Sequence, residues 1–113
     1  MGKYSKIKKE FSFLESEYGF KENMRQKHGS YYYSSWTNLK KDIMILYDDT
    51  TDEKVESPIW IRMFDTDSLG LYDDVVDEFR NEFYLKSGKS KERIHYAAEW
   101  LKKAIEDKKV LIE

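Results

Sequence analysis

The period of the apolar residues changes twice along this chain, and that pattern limits the fold more than any other feature. Tyr4, Ile7, Phe11, Leu14 and Tyr18 recur at alternating steps of three and four residues, one stripe of a helix. Between residues 31 and 64 the helical period is absent. Aromatic, hydroxyl-bearing and β-branched residues alternate there or run together, as strands require. Ile94, Ala97, Ala98, Leu101, Ala104 and Ile105 then restore the helical spacing. Helical period at both ends and strand period between them predict an α+β fold. The 113 residues fit a single α+β domain, 1–113.

The punctuation refines this layout. Gly19 suits the left-handed residue that ends a helix, and Phe20 would fold back on the Leu14-Glu15 turn. Residues 21–30, with Asn23, His28, Gly29 and Ser30, read as a loop. Three strands are predicted at 31–38, 43–47 and 59–64, joined by polar links short enough for an antiparallel meander. Pro58 suits the start of the third strand. Tyr72, Val75, Val76, Phe79 and Phe83 share a helical face, which predicts a helix over 72–83. Ser87-Gly88-Lys89-Ser90 breaks that pattern, and Ser90 suits the cap of the last helix. The tail Val110-Leu111-Ile112 fits a short strand or a packed extension. The expected architecture is thus an N-terminal helix, a three-stranded antiparallel meander and two C-terminal helices packed on the sheet.

Charge is sorted along the chain although the formal net charge is only −2. Residues 1–41 carry nine Lys/Arg against four Glu, and residues 83–113 carry eight against five acids. Residues 42–82 carry three basic residues against thirteen acidic ones. Such a middle attracts a basic partner and repels phosphate backbones, so no nucleic-acid partner is expected. There is no cysteine, which rules out disulfides, thiol catalysis and Cys-ligated zinc. No apolar run reaches signal-peptide or bilayer-spanning length, so no membrane partner and a cytoplasmic setting are expected.

Motifs for chemistry are weak. Gly88-Lys89-Ser90 resembles the end of a phosphate-binding loop, but the glycine required five residues before Gly88 is Phe83. The acids Asp48, Asp49, Asp52 and Glu53, and the group Asp65, Asp67, Asp73 and Asp74, lack the ordered spacing and the glycine of a calcium loop. They read as a solvated acidic edge, with no metal and no cofactor expected. His28 and His95 stand in separate predicted elements without a nucleophile-elbow sequence, and they read as surface or capping residues. Alternation puts Tyr32, Ser34 and Trp36 on one sheet face and Tyr31, Tyr33 and Ser35 on the other. It likewise separates Trp60, Arg62 and Phe64 from Ile59, Ile61 and Met63, whose aliphatic face is the natural seat for helices. The aromatic face is open to two readings: a second core under the first helix, or a protein-binding surface.

A lysine-bearing first helix leads into Phe11-Ser12-Phe13-Leu14-Glu15-Ser16-Glu17-Tyr18-Gly19-Phe20. A Tyr-rich strand and two strands at 42–47 and 58–64 follow. This layout resembles small bacterial immunity-type proteins, the cognate inhibitors of polymorphic or contact-delivered toxins. The resemblance implies a non-enzymatic protein that binds a toxin domain and blocks it. On that reading Asp48, Asp49, Asp52, Glu53, Asp65, Asp67, Asp73 and Asp74 steer a basic partner, and Tyr32, Trp36 and Trp60 anchor it. The alternatives are a self-associating structural or regulatory domain and, third, a small hydrolase.

Overall fold

Strand after strand pairs with its sequence neighbour, so the sheet runs in the order β1-β2-β3-β4-β5, antiparallel throughout. The computed structural model describes residues 3–29, 31–48, 59–65, 72–74 and 90–112. The strands are β1 (Lys21–His28), β2 (Tyr31–Thr37), β3 (Lys41–Asp48), β4 (Ile59–Asp65) and the three-residue β5 (Tyr72–Asp74). Helices α1 (Lys3–Phe11) and α2 (Phe13–Tyr18) precede the sheet, and α3 (Ser90–Glu106) follows it.

The α+β class and the central meander agree with expectation, and two details are corrected. Residues 21–28, expected as loop, form an edge strand. Tyr72, Asp73 and Asp74, expected to open a helix, pair with Phe64, Met63 and Arg62 as β5. Val75, Val76, Phe79 and Phe83 of that expected helix, with Pro58 and Gly88, lie outside the described residues. Among the described residues the C-terminal third supplies one helix.

The expected first helix is interrupted once. The Ser12 hydroxyl donates to the Lys9 carbonyl at 2.8 Å, a local bond that competes with the regular helical ladder. Gly19 ends α2 at φ +73°, and the Gly19 and Phe20 amides donate to the Glu15 and Leu14 carbonyls at 3.2 and 2.9 Å. That pair closes the helix as its Gly19-Phe20 sequence suggests, and Phe20 is fully buried.

Three cross-strand rows build the helix-facing side of the sheet: Tyr32-Tyr47-Ile59, Ser34-Ile45-Ile61 and Trp36-Ile43-Met63. On that side α1 lies over β2, α3 lies over β4, and the two helices pack on each other. Ile7, Phe11 and Leu14 from the first stripe and Ile94, Ala97, Ala98, Leu101, Ala104 and Ile105 from the last complete the core. The first helix therefore shares the aliphatic face with α3 and does not form a second core beneath the other face.

The tail is a packed extension rather than a strand: Val110 is buried and Ile112 packs on the core. Asn38 fastens it. Its Nδ2 donates to the Ile112 carbonyl at 2.8 Å, while its Oδ1 accepts the Lys40 and Lys41 amides at 2.9 and 2.7 Å. One side chain thereby shapes the β2–β3 turn and holds the chain end.

Candidate interaction surface

A meander preserves sequence order in space, so charge sorted along the chain becomes charge sorted across the sheet. The basic strand β1, with Lys21, Arg25 and Lys27, is one edge. The strand β5, with Asp73 and Asp74, is the other. Four inter-strand spacings separate them, about 19 Å. Seven of the eight residues of β1 are exposed.

Its single acid is turned to internal use. Glu22 accepts from the Ser34 hydroxyl at 3.3 Å and lies 3.8 Å from Lys8 Nζ of α1. Ser34 in turn accepts from the buried Trp36 indole N–H at 3.0 Å. A buried indole donor and a buried hydroxyl are thus both satisfied, as desolvation demands.

Among the described residues the expected acids stand at separate places on the sheet. Asp48 ends β3 opposite Tyr31, while Asp65 ends β4 opposite Lys41. Seven residues of extended chain separate those ends, about 23 Å. Asp73 and Asp74 pair with Met63 and Arg62, on the Asp65 side of the sheet. Asp49, Asp52, Glu53 and Asp67 lie outside the described residues.

The three aromatic anchors divide as well. Trp36 is 1% exposed and belongs to the core, which corrects its placement at a surface. Tyr32 lies on the same helix-facing side, half-buried, its ring 6.2 Å from that of Tyr47 and beneath Lys27 Nζ at 5.2 Å. Trp60 stands on the opposite face, half-buried in a row with Leu46 and Tyr33. Sequence alternation separated the faces correctly strand by strand. It could not align the strands with one another, because the register that joins Tyr32 to Ile59 rather than to Trp60 is a tertiary choice.

The two histidines also separate. His28 is exposed at the end of β1. His95 of α3 sets its Nδ1 2.7 Å from Glu10 Oε1 of α1, and Lys6 Nζ lies 3.2 Å from Glu10 Oε2. Burial raises the Glu10 pKa, but the hydrogen bonds and charges of His95 and Lys6 outweigh it and hold the carboxyl below its ordinary value. This pair orients an imidazole, the beginning of a hydrolytic constellation, but among the described residues no hydroxyl bonds to that ring. A second tie, Lys102 Nζ to Glu17 Oε2 at 3.3 Å, joins α3 to α2 and raises the Lys102 pKa. Both arrangements clamp helices together.

Among the described residues no three His, Asp or Glu side chains gather as metal ligands, and no helix is long and apolar enough to cross a membrane. An open hollow of about 600 Å³ adjoins the start of β1, lined by Lys8, Glu15, Gly19, Phe20, Lys21 and Glu22. Its lining mixes both charges and holds no hydroxyl or imidazole for catalysis.

The exposed basic edge was missed by periodicity. The signal that reveals it is the Gly29-Ser30 sequence between the paired residues His28 and Tyr31, a dipeptide of hairpin type, with Gly29 at φ +64°. Comparison with protein-family models, with curated proteins and with solved structures finds no match.

Proposed function

We propose that this protein is a non-enzymatic protein-binding domain, an immunity-like inhibitor whose acidic β4–β5 side docks on a basic partner such as a toxin domain. The observation that carries this reading is the sorting of charge onto separate sheet edges. Opposed edges of opposite sign orient an approaching charged protein before contact and accelerate its capture. Half-buried Trp60, in the strand next to β5, supplies an aromatic of the type that anchors interfaces.

The test is co-purification with tagged protein from the native host, followed by reconstitution from purified components. The reading expects a partner of net positive charge whose own activity falls on binding. Replacing Asp65, Asp73 and Asp74 by asparagine should slow association, most strongly at low salt. An acidic partner, or an association rate indifferent to those substitutions, would sink the docking model.

A second reading draws on the same opposed edges. A basic β1 edge and an acidic β5 edge on one molecule are complementary between copies, which favours head-to-tail self-association. Sedimentation at rising protein concentration separates the two readings. A monomer throughout the range excludes self-association.

A further inference from the structure

We infer that the outer side of β1 receives an extended acidic polypeptide segment from a partner, which joins the sheet as an additional strand. Among the described residues β1 pairs with β2 on one side only, and its residues from Asn23 to His28 are all exposed. Alternate backbone N–H and C=O groups of such an edge point away from its neighbour and template a further strand. The register shifts between Glu22 and Met24, so the regular part of the edge is residues 24–28. Pairing places Arg25 and Lys27 on the helix-facing side with Ser34 and Tyr32, and Met24, Gln26 and His28 on the other side.

Charge selects the occupant. With Glu22 engaged by Lys8 and Ser34, cations dominate this edge. A second copy of β1 would set Arg25 and Lys27 against the same residues of its mate, and like charges across a strand pair repel. The cations that guard the edge against self-pairing therefore admit a strand with acids at alternate positions facing Arg25 and Lys27. The residue between those acids falls on the Met24 side, where an apolar side chain fits. A nucleic acid would meet the cations but not the backbone. Its phosphates only accept hydrogen bonds, and the outward carbonyls of β1 require donors. This surface lies on the edge opposite β5, so it stands or falls independently of the basic-partner reading.

The experiment titrates the full chain with a synthetic peptide in which glutamate alternates with valine, followed by backbone amide NMR. Expected are shift changes and exchange protection confined to β1, and an affinity weakened about tenfold or more by Arg25→Glu with Lys27→Glu. Both residues are exposed, and a circular-dichroism melt verifies folding of the variant. A second arm needs no variant: the peptide is N-methylated at alternate residues, in each of the two phases. One phase should abolish binding, because strand addition uses the amides of only one edge. Equal binding by both methylated forms, shifts located elsewhere, or no binding at all overturns the proposal. Tighter binding of a single-stranded DNA oligonucleotide at the same edge overturns it in favour of nucleic acid.

Discussion

His95 Nδ1 lies 2.7 Å from Glu10 Oε1, joining α3 to α1 across 85 residues of chain. Glu10 also holds Lys6 one helical turn earlier, so one carboxylate with 14% of its side chain exposed ties together the two helices that cover the sheet.

That carboxylate should make stability depend on acid. Burial alone would raise its pKa, but His95 and Lys6 bring it below the ordinary 4.5. The folded chain therefore binds this proton less readily than the unfolded chain. Its stabilising contribution is complete above the unfolded value and is lost as pH falls through the folded one. Glu10→Gln should cost about 1–2 kcal/mol at neutral pH, and the gap to wild type should close as pH falls below the ordinary carboxylate value. Urea unfolding across that range measures it. A gap that stays constant with pH would show that Glu10 contributes through packing alone.

Ser34 should matter more than a small hydroxyl residue on a strand usually does. It accepts the buried Trp36 indole N–H and donates to Glu22. Ser34→Ala leaves that indole donor unmet in the core, which costs about 1–3 kcal/mol. Adding Trp36→Phe removes the orphaned donor, so the double variant should lose less than the two single losses combined. Strictly additive losses in denaturant melts would mean the two side chains are not coupled.

The C-terminal stripe and the first stripe were legible because amphipathic helices write their buried face at a fixed spacing. Ile94 through Ile105 and Ile7, Phe11 and Leu14 are buried as that spacing implies. Strand β1 was not legible. An edge exposed on both faces has no apolar alternation to display, and Lys21-Glu22-Asn23-Met24-Arg25-Gln26-Lys27-His28 looks like a loop for that reason. Tyr72-Asp73-Asp74 carried the opening of a helical stripe, yet pairing with β4 claimed its backbone. Local propensity yields in such cases to hydrogen bonds the sequence does not announce. The separation of Asp48 from Asp65 was hidden for a related reason. Antiparallel pairing of β3 with β4 sets Asp48 and Asp65 at opposite ends of the sheet, although only seventeen positions separate them in the chain.

Leu39 offers a stabilising substitution. It stands in the β2–β3 turn at φ +72°, 82% exposed, so its side chain gains little from burial while its backbone is held in the left-handed region. That conformation costs a β-carbon-bearing residue roughly 1–2 kcal/mol, against which glycine's greater unfolded freedom gives back part. Leu39→Gly should raise stability by about 0.5 kcal/mol, and Leu39→Val should lower it because of β-branching. Thermal melts of the pair provide the comparison, and the reverse order would show that the turn relaxes out of the left-handed region.

Core and surface should separate by magnitude. Phe11 is fully buried on α1, where it stacks against Phe13 at 6.3 Å between ring centres. It sits in the helix that packs on both β2 and α3, and it belongs to the core cluster that these elements share. Phe11→Ala should cost about 3–5 kcal/mol, the lost transfer energy plus a cavity that three packed elements cannot easily collapse. Glu15, exposed on α2, should change stability by no more than about 0.5 kcal/mol when replaced by glutamine. The charge reversals at Arg25 and Lys27 should cost far less than Phe11→Ala in a melt, the loss at Lys27 being the modest contact with the Tyr32 ring. If those reversals unfold the chain as Phe11→Ala is expected to, then β1 is held by its charges. It would then be a structural edge and not a surface kept for a partner.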